Sequence, residues 1–228
     1  MKKFMISLLL AALMVVGIMV SVDGAVVSGF KNVITISGGI EYGDLSRLTN
    51  ALNDLKMGNS KELHLMINSG GGHATAVLSM KYLLEHILGD ARLVTHVTDM
   101  AYSGGAMLFL LGDVRIMHER STIMVHYSAM YDQNGNKLPK SRYTKKQRER
   151  CKATDEWIDI LTWPKTTLPK SYLKNDKIFG VMDACKYGVA THVKTLKGDI
   201  VDAKTYLRNR SNTRSTGNSS NGNHSGRR

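Results

Sequence analysis

Cysteine is scarce: Cys151 and Cys185 are the only two in 228 residues. They form no CxxC pair, and the eight histidines include no HxxxH pair. The short-spaced zinc patterns are therefore absent, and no metal site is expected. The two thiols read as unrelated rather than as a disulfide. No glycine-rich loop ending in Lys-Ser or Lys-Thr occurs, which excludes a Walker-type ATPase within the chain. No nucleic-acid-binding motif and no internal repeat is present, and no cofactor is expected. Negative charge is in short supply as well. Nineteen Asp and Glu stand against 31 Lys and Arg, for a net charge of +12. The excess sits in two blocks, over residues 137–152 and in a tail over 207–228. We read the first as a solvated helix face and the second as a disordered tail, too polar to pack, so no nucleic-acid partner is expected.

What is present begins with the amino terminus. Met1-Lys2-Lys3 precedes an apolar run over residues 4–22, interrupted by Ser7, Gly17 and Ser21. A positive start, an apolar middle and small residues at its end describe a secretory signal, and the run is also long enough for a membrane anchor. Either reading puts residues 1–24 apart from the body. It places the body outside the cytoplasm, exported, periplasmic or membrane-anchored, with membrane association through this segment.

Residues 25–206 suit one domain with a substantial hydrophobic core. Period-two or β-branched runs predict strands near 33–37, 62–67, 93–98, 114–117 and 122–126. Apolar residues at helical spacing predict helices over 44–57, 74–88, 104–111 and 141–162. The alternation indicates an α/β fold with a mainly parallel sheet.

Three residues lie in contexts that suit acyl transfer. Ser103 stands between a strand-like run and a Gly/Ala-led helical run. His126 ends a strand-like run, and Asp176 precedes a later helical segment. A serine hydroxyl is a weak nucleophile that needs a base, and the base needs a carboxylate to fix its tautomer. The chain order Ser, His, Asp differs from the orders of the chymotrypsin, subtilisin and α/β-hydrolase families. A serine at a helix start is by default a cap, so Ser103 alone carries little. Gly70-Gly71-Gly72, between a strand and a helix, could cradle a phosphate or an oxyanion, or form a simple tight turn.

Taken together, Ile67-Asn68-Ser69-Gly70-Gly71-Gly72, Ala101-Tyr102-Ser103-Gly104-Gly105-Ala106, Met124-Val125-His126, and Asp176-Lys177 followed by Lys186-Tyr187-Gly188-Val189 resemble the Clp protease proteolytic subunit family. The likeness covers roughly residues 30–195. Gly70 stands where that family has proline, and Gly104 where it has methionine. The resemblance implies a crotonase-like ββα spiral and a serine endopeptidase acting on protein or peptide substrates. It implies Ser103 as nucleophile, His126 as general base and Asp176 as orienting acid, in preference to Asp155 and Asp183; Asp183 is expected to face solvent. It implies an oxyanion hole from the backbone N–H groups of Gly72 and Gly104. Gly71 and His73, beside that loop, are expected to contact substrate. It also implies a homo-oligomer, although the basic first half of the 141–162 helix would repel a copy of itself across stacked rings.

Two other functions compete. One is a non-catalytic crotonase-like binding module that uses the basic helix. The other is a signal-peptide-peptidase-like membrane protease with a Ser–Lys dyad. Against the second, no lysine lies near the serine or glycine motifs in sequence.

Overall fold

Leu63, Leu65 and Ile67 alternate with His64, Met66 and Asn68, so one face of this segment is buried and the other half-exposed. That period of two is what makes it a strand. The same logic builds the sheet of the computed structural model, which describes residues 26–30, 32–54, 61–134 and 136–218. The elements in chain order are β1 (Val26–Phe30), β2 (Val33–Ile40), α1 (Asp44–Asp54), β3 (Glu62–Gly72), α2 (Ala74–Leu88), β4 (Arg92–Tyr102), α3 (Gly104–Leu111), β5 (Val114–His118) and β6 (Thr122–Met124). A 3-10 turn at Lys140–Arg142 then leads to α4 (Lys145–Thr162), α5 (Lys170–Lys174), β7 (Ile178–Gly180), α6 (Val181–Lys186), β8 (His192–Lys194), β9 (Ile200–Asp202) and α7 (Ala203–Asn218).

The main sheet order is β1-β2-β3-β4-β5-β8-β9, with β6 branching from β4 and pairing with β7. The contacts β2–β3, β3–β4, β4–β5, β4–β6 and β5–β8 are parallel. The pairs β1–β2, β6–β7 and β8–β9 are antiparallel. The structure is thus a mixed α/β fold dominated by parallel pairing, as expected. Helix α3 is apolar all round, and every residue from Gly104 to Leu110 is buried. A helix of that kind belongs inside the core.

Several expectations shift. The helix predicted over 141–162 starts at Lys145, because Thr144 and Gln147 close a capping box there: Thr144 Oγ1 accepts from the Gln147 N–H and Gln147 Oε1 accepts from the Thr144 N–H. Strands β7, β8 and β9, three residues each, are too short to show a period in the sequence. The expected disordered tail is corrected over residues 207–218, which are helical in α7. Tyr206 is buried, Arg210 pairs with Glu119, and Asp202 Oδ1 accepts from the Thr205 N–H at the helix start. These contacts supply the fastening that composition alone did not suggest. The apolar run over 4–22 and the tail over 219–228 lie outside the described residues. Among the described residues no helix is long and apolar enough to cross a membrane. Cys151 and Cys185 are both buried free thiols, on α4 and α6, and burial pushes the Cys185 thiol up to about 12.

The half-exposed face of the sheet carries a row of imidazoles. His64 Nδ1 and His96 Nε2 lie 3.1 Å apart, and the His96 ring meets His118 edge-on. Burial, helped by the charges of His64, His118 and Lys194, pushes His96 down to about 4. The unfolded chain therefore binds a proton that the folded chain refuses. Stability from this group is fully present above the ordinary histidine value and is lost as pH falls through the folded value. Thermal or urea unfolding at pH 7 and pH 5 should show a loss of about 2 kcal/mol from His96, and His96→Gln should flatten that slope.

Candidate active site

Sheet register brings the three singled-out residues together. Strand β6 pairs in parallel with β4, with Tyr102 opposite Met124. It pairs antiparallel with β7, with Met124 opposite Ile178. Continuing the first register by one residue sets Ser103 beside Val125. Continuing the second by two sets His126 across from Asp176. The Ser103 N–H donates to the Met124 carbonyl at 2.9 Å, tying the serine to the strand that delivers the histidine.

The side chains complete the connection. Ser103 Oγ lies 2.7 Å from His126 Nε2, and His126 Nδ1 lies 3.1 Å from Asp176 Oδ1. The pairing assigns the tautomer: the carboxylate accepts from Nδ1–H, which leaves Nε2 to accept the hydroxyl proton. His126 is buried, and desolvation holds its pKa below the usual histidine value, with Lys137 adding in the same direction against the opposing pull of Asp176. The imidazole is thus neutral near pH 7. For Asp176, burial pushes the carboxyl up. The hydrogen bond from Lys137, with the nearby charges of His126 and Lys137, outweighs this and holds it below the usual carboxylate range. A hydroxyl set against a neutral imidazole, itself held by a carboxylate, can lose its proton as it attacks.

Ser103 does not act as a helix cap. It sits at the start of α3 with φ 51° and ψ −118°, and its side chain makes no cap hydrogen bond. A positive φ is costly for a non-glycine residue, by about 1–3 kcal/mol. Here it turns the hydroxyl out of the helix and onto His126. Asp176 also has a positive φ, at 48°, a conformation aspartate tolerates better than most.

The glycine loop meets this elbow. A Cβ on Gly71, where φ is 93°, would lie 2.6 Å from Ser103 Cβ and 2.8 Å from Gly104 N. A Cβ on Gly104 would lie 3.4 Å from Gly72 N. The backbones at 71–72 and at 103–104 therefore approach closely because neither carries a side chain between them. Ser69, which the sequence offered only as part of a motif, braces the loop: its buried hydroxyl donates to the Gly38 carbonyl at 2.6 Å and accepts from the Gly71 N–H at 3.1 Å.

Gly71, Gly72, Ser103, Gly104 and His126 line a cleft of about 710 Å³ with Tyr42, Met107, Met130, Tyr131, Trp157 and Ile158 on its walls. His73 also lines it, but it is engaged: its Nε2 lies 3.1 Å from Glu41 Oε2 and its ring stacks on Tyr42. The competing aspartates have other partners. Asp155 Oδ1 accepts from the Ser128 N–H and hydroxyl. Asp183 is half-buried and accepts from the Tyr172 hydroxyl, which corrects the expectation that it faces solvent. Lys137 reaches Asp176 Oδ2 at 2.5 Å, while the Ser103 hydroxyl pairs with His126, an arrangement unlike a Ser–Lys dyad. In the sequence Lys137 reads only as the first residue of the basic block, a solvated helix face; it lies instead before α4 and is paired with Asp176. Among the described residues no group of three or more His, Cys, Asp or Glu side chains is placed to hold a metal.

The loop gives a sharp contrast between neighbouring glycines. A Cβ at Gly72 would run into the Ile40 carbonyl, whereas one at Gly70 meets nothing within 4 Å. Gly72→Ala should therefore cost at least about 2 kcal/mol in urea unfolding, while Gly70→Ala should be within about 1 kcal/mol of the parent.

No match is found among curated proteins. Residues 26–197, well over half of the chain, match the family model described as Clp protease. The span takes in the glycine loop, the strained serine, the histidine and the aspartate, and the chain belongs to the Clp protease family.

Proposed function

We propose that this protein is a serine endopeptidase with a Ser-His-Asp triad on a crotonase-like spiral, acting outside the cytoplasm. The observation that carries the reading is the continuous hydrogen-bonded series from Ser103 Oγ through the His126 imidazole to Asp176 Oδ1. Family membership supports peptidase activity and a protein or peptide substrate. The apolar run over residues 4–22, behind Lys2 and Lys3, supports export or anchoring, and membrane association with it.

In this reading the substrate lies extended in the cleft beside Gly71 and His73. Ser103 Oγ attacks the scissile carbonyl carbon while its proton passes to His126 Nε2. Negative charge grows on the carbonyl oxygen. The backbone N–H groups of Gly72 and Gly104 are preorganised to receive it. The imidazolium then gives its proton to the leaving nitrogen, the C–N bond breaks, and an acyl ester on Ser103 remains. Water, deprotonated by the same imidazole, attacks the ester. The acid product leaves and Ser103 regains its proton. Asp176 holds the tautomer throughout and stabilises the imidazolium. Family members typically assemble from several copies, and we extend that habit to this chain.

A fluorophosphonate probe should label the wild-type protein at Ser103. Ser103→Ala and His126→Ala should lower peptide hydrolysis by at least about 10³-fold, with folding unchanged by circular dichroism. The base must be neutral to work, so kcat/KM should be level near pH 7 and fall on the acid side. Its midpoint should lie below the ordinary histidine value of about 6.5. Persistent labelling of Ser103→Ala would sink the reading.

A further inference from the structure

We propose that Lys137 is a positioning residue that clamps Asp176 so that the carboxylate keeps His126 oriented; this rests on the peptidase reading above. The two oxygens of Asp176 are divided between two partners. Oδ1 faces His126 Nδ1 at 3.1 Å, and Oδ2 accepts from Lys137 Nζ at 2.5 Å. With both oxygens engaged, the carboxylate cannot turn about its last bond without breaking one of the two contacts. The backbone on either side of Asp176 is held to α5, with the N–H groups of Asn175 and Lys177 donating to the Ser171 and Tyr172 carbonyls, so it is the rotation of the side chain that Lys137 restrains.

The lysine is presented by a braced hairpin. Tyr131 and Lys137 pair across it in antiparallel fashion, and the Leu138 N–H donates to the Met130 carbonyl at 2.8 Å. Asp132 organises the turn: its Oδ1 accepts from the N–H groups of Asn134 and Asn136, and its Oδ2 accepts from the Asn136 side chain. Met130 and Tyr131 line the substrate cleft on the same hairpin. One short segment therefore touches the cleft with one strand and the carboxylate with the other.

A simple surface ion pair is the alternative. Lys137 is 48 % exposed and Asp176 37 % exposed, and pairs of that kind contribute little to stability. A clamp and a surface pair differ in what they do to the histidine. The charged groups facing His126 are Asp176 beyond β6, Lys137 from the hairpin and Asp155 from α4. Lys137 is the cation among them. Removing its charge makes the imidazolium easier to form, both directly and by leaving Asp176 undivided, so His126 titrates at higher pH.

The test compares the wild-type protein with Lys137→Met, Lys137→Arg and Asp132→Ala. The His126 titration is followed by NMR, with the ring signals assigned by their loss in His126→Gln. Lys137→Met should move the His126 titration and the acid limb of kcat/KM together to higher pH. It should lower kcat about tenfold, with KM within about twofold. Lys137→Arg should restore both, because a single contact needs the charge more than the shape. Asp132→Ala alters no charge that faces His126 and should lower kcat by a smaller factor by loosening the hairpin. An unmoved titration and unchanged kcat in Lys137→Met would overturn the proposal. A change in KM or thermal stability alone would also overturn it, reducing Lys137 to hairpin structure. If the wild-type protein shows no Ser103-dependent hydrolysis, the peptidase reading fails instead, and the His126 titration still decides whether Lys137 acts on the Asp176–His126 pair.

Discussion

Strand β6 is three residues long, and the site depends on its double pairing. On one side it takes a parallel partner, β4, which ends one residue before Ser103; on the other it takes an antiparallel partner, β7, which begins two residues after Asp176. A one-residue slip of β6 against β4 would send His126 to the opposite face of its strand, and a one-residue slip of β7 against β6 would carry Asp176 off His126. The Ser103 N–H bond to the Met124 carbonyl fastens the same junction from the serine side. Fixing the backbone at this point is what allows a strained φ at Ser103 to persist, because the surrounding hydrogen bonds over-determine it.

Close packing of backbone is the second constraint. The 70–72 loop and the start of α3 touch because Gly71 and Gly104 leave no side chain between them, while Gly72 lets the loop lie against Ile40 of β2. Ser69 holds the loop from beneath, and Val77 of α2 lies against Gly104. At the far end of α3, Lys165 Nζ donates to the carbonyls of Leu110 and Leu111, a cation at the helix C-terminus where the dipole favours one. Buried charge elsewhere is satisfied in the same manner. The Arg115 guanidinium donates to the carbonyls of Gly112, Gly188 and Val189 and so fastens the β5–β8 edge to the turn after α6. Such groups stay charged inside a protein because hydrogen bonds to backbone carbonyls offset the cost of burying them.

Electrostatics then separates histidines that look alike in sequence. His96 and His126 are both buried, and burial pushes both pKa values down. His96 has His64, His118 and Lys194 around it and an unpartnered ring nitrogen, so burial and like-charge repulsion both disfavour its protonated form. His126 faces a carboxylate, which partly offsets burial and keeps the ring neutral yet basic. The distinction comes from neighbours on other strands, not from neighbours in the chain.

The sequence by itself determined the local elements. Alternation along residues 62–67, helical spacing over 74–88 and the apolar run over 104–111 are properties of a few adjacent side chains, and β3, α2 and α3 follow from them. The four motifs were legible too, in order and with Ser103, His126 and Asp176 among them. Only the tertiary structure decided what those residues touch. The three-residue strands β7 to β9 carry no readable period, so the pairing that places Asp176 opposite His126 was invisible. So was the hairpin that lays Lys137 on Asp176 across 39 residues of chain. The helical part of the tail was misread because its fastening points, Glu119 above all, lie far away in sequence. Local conformation is set by short-range sterics and periodicity; the choice of partner is made by packing and register, which no local stretch of sequence contains.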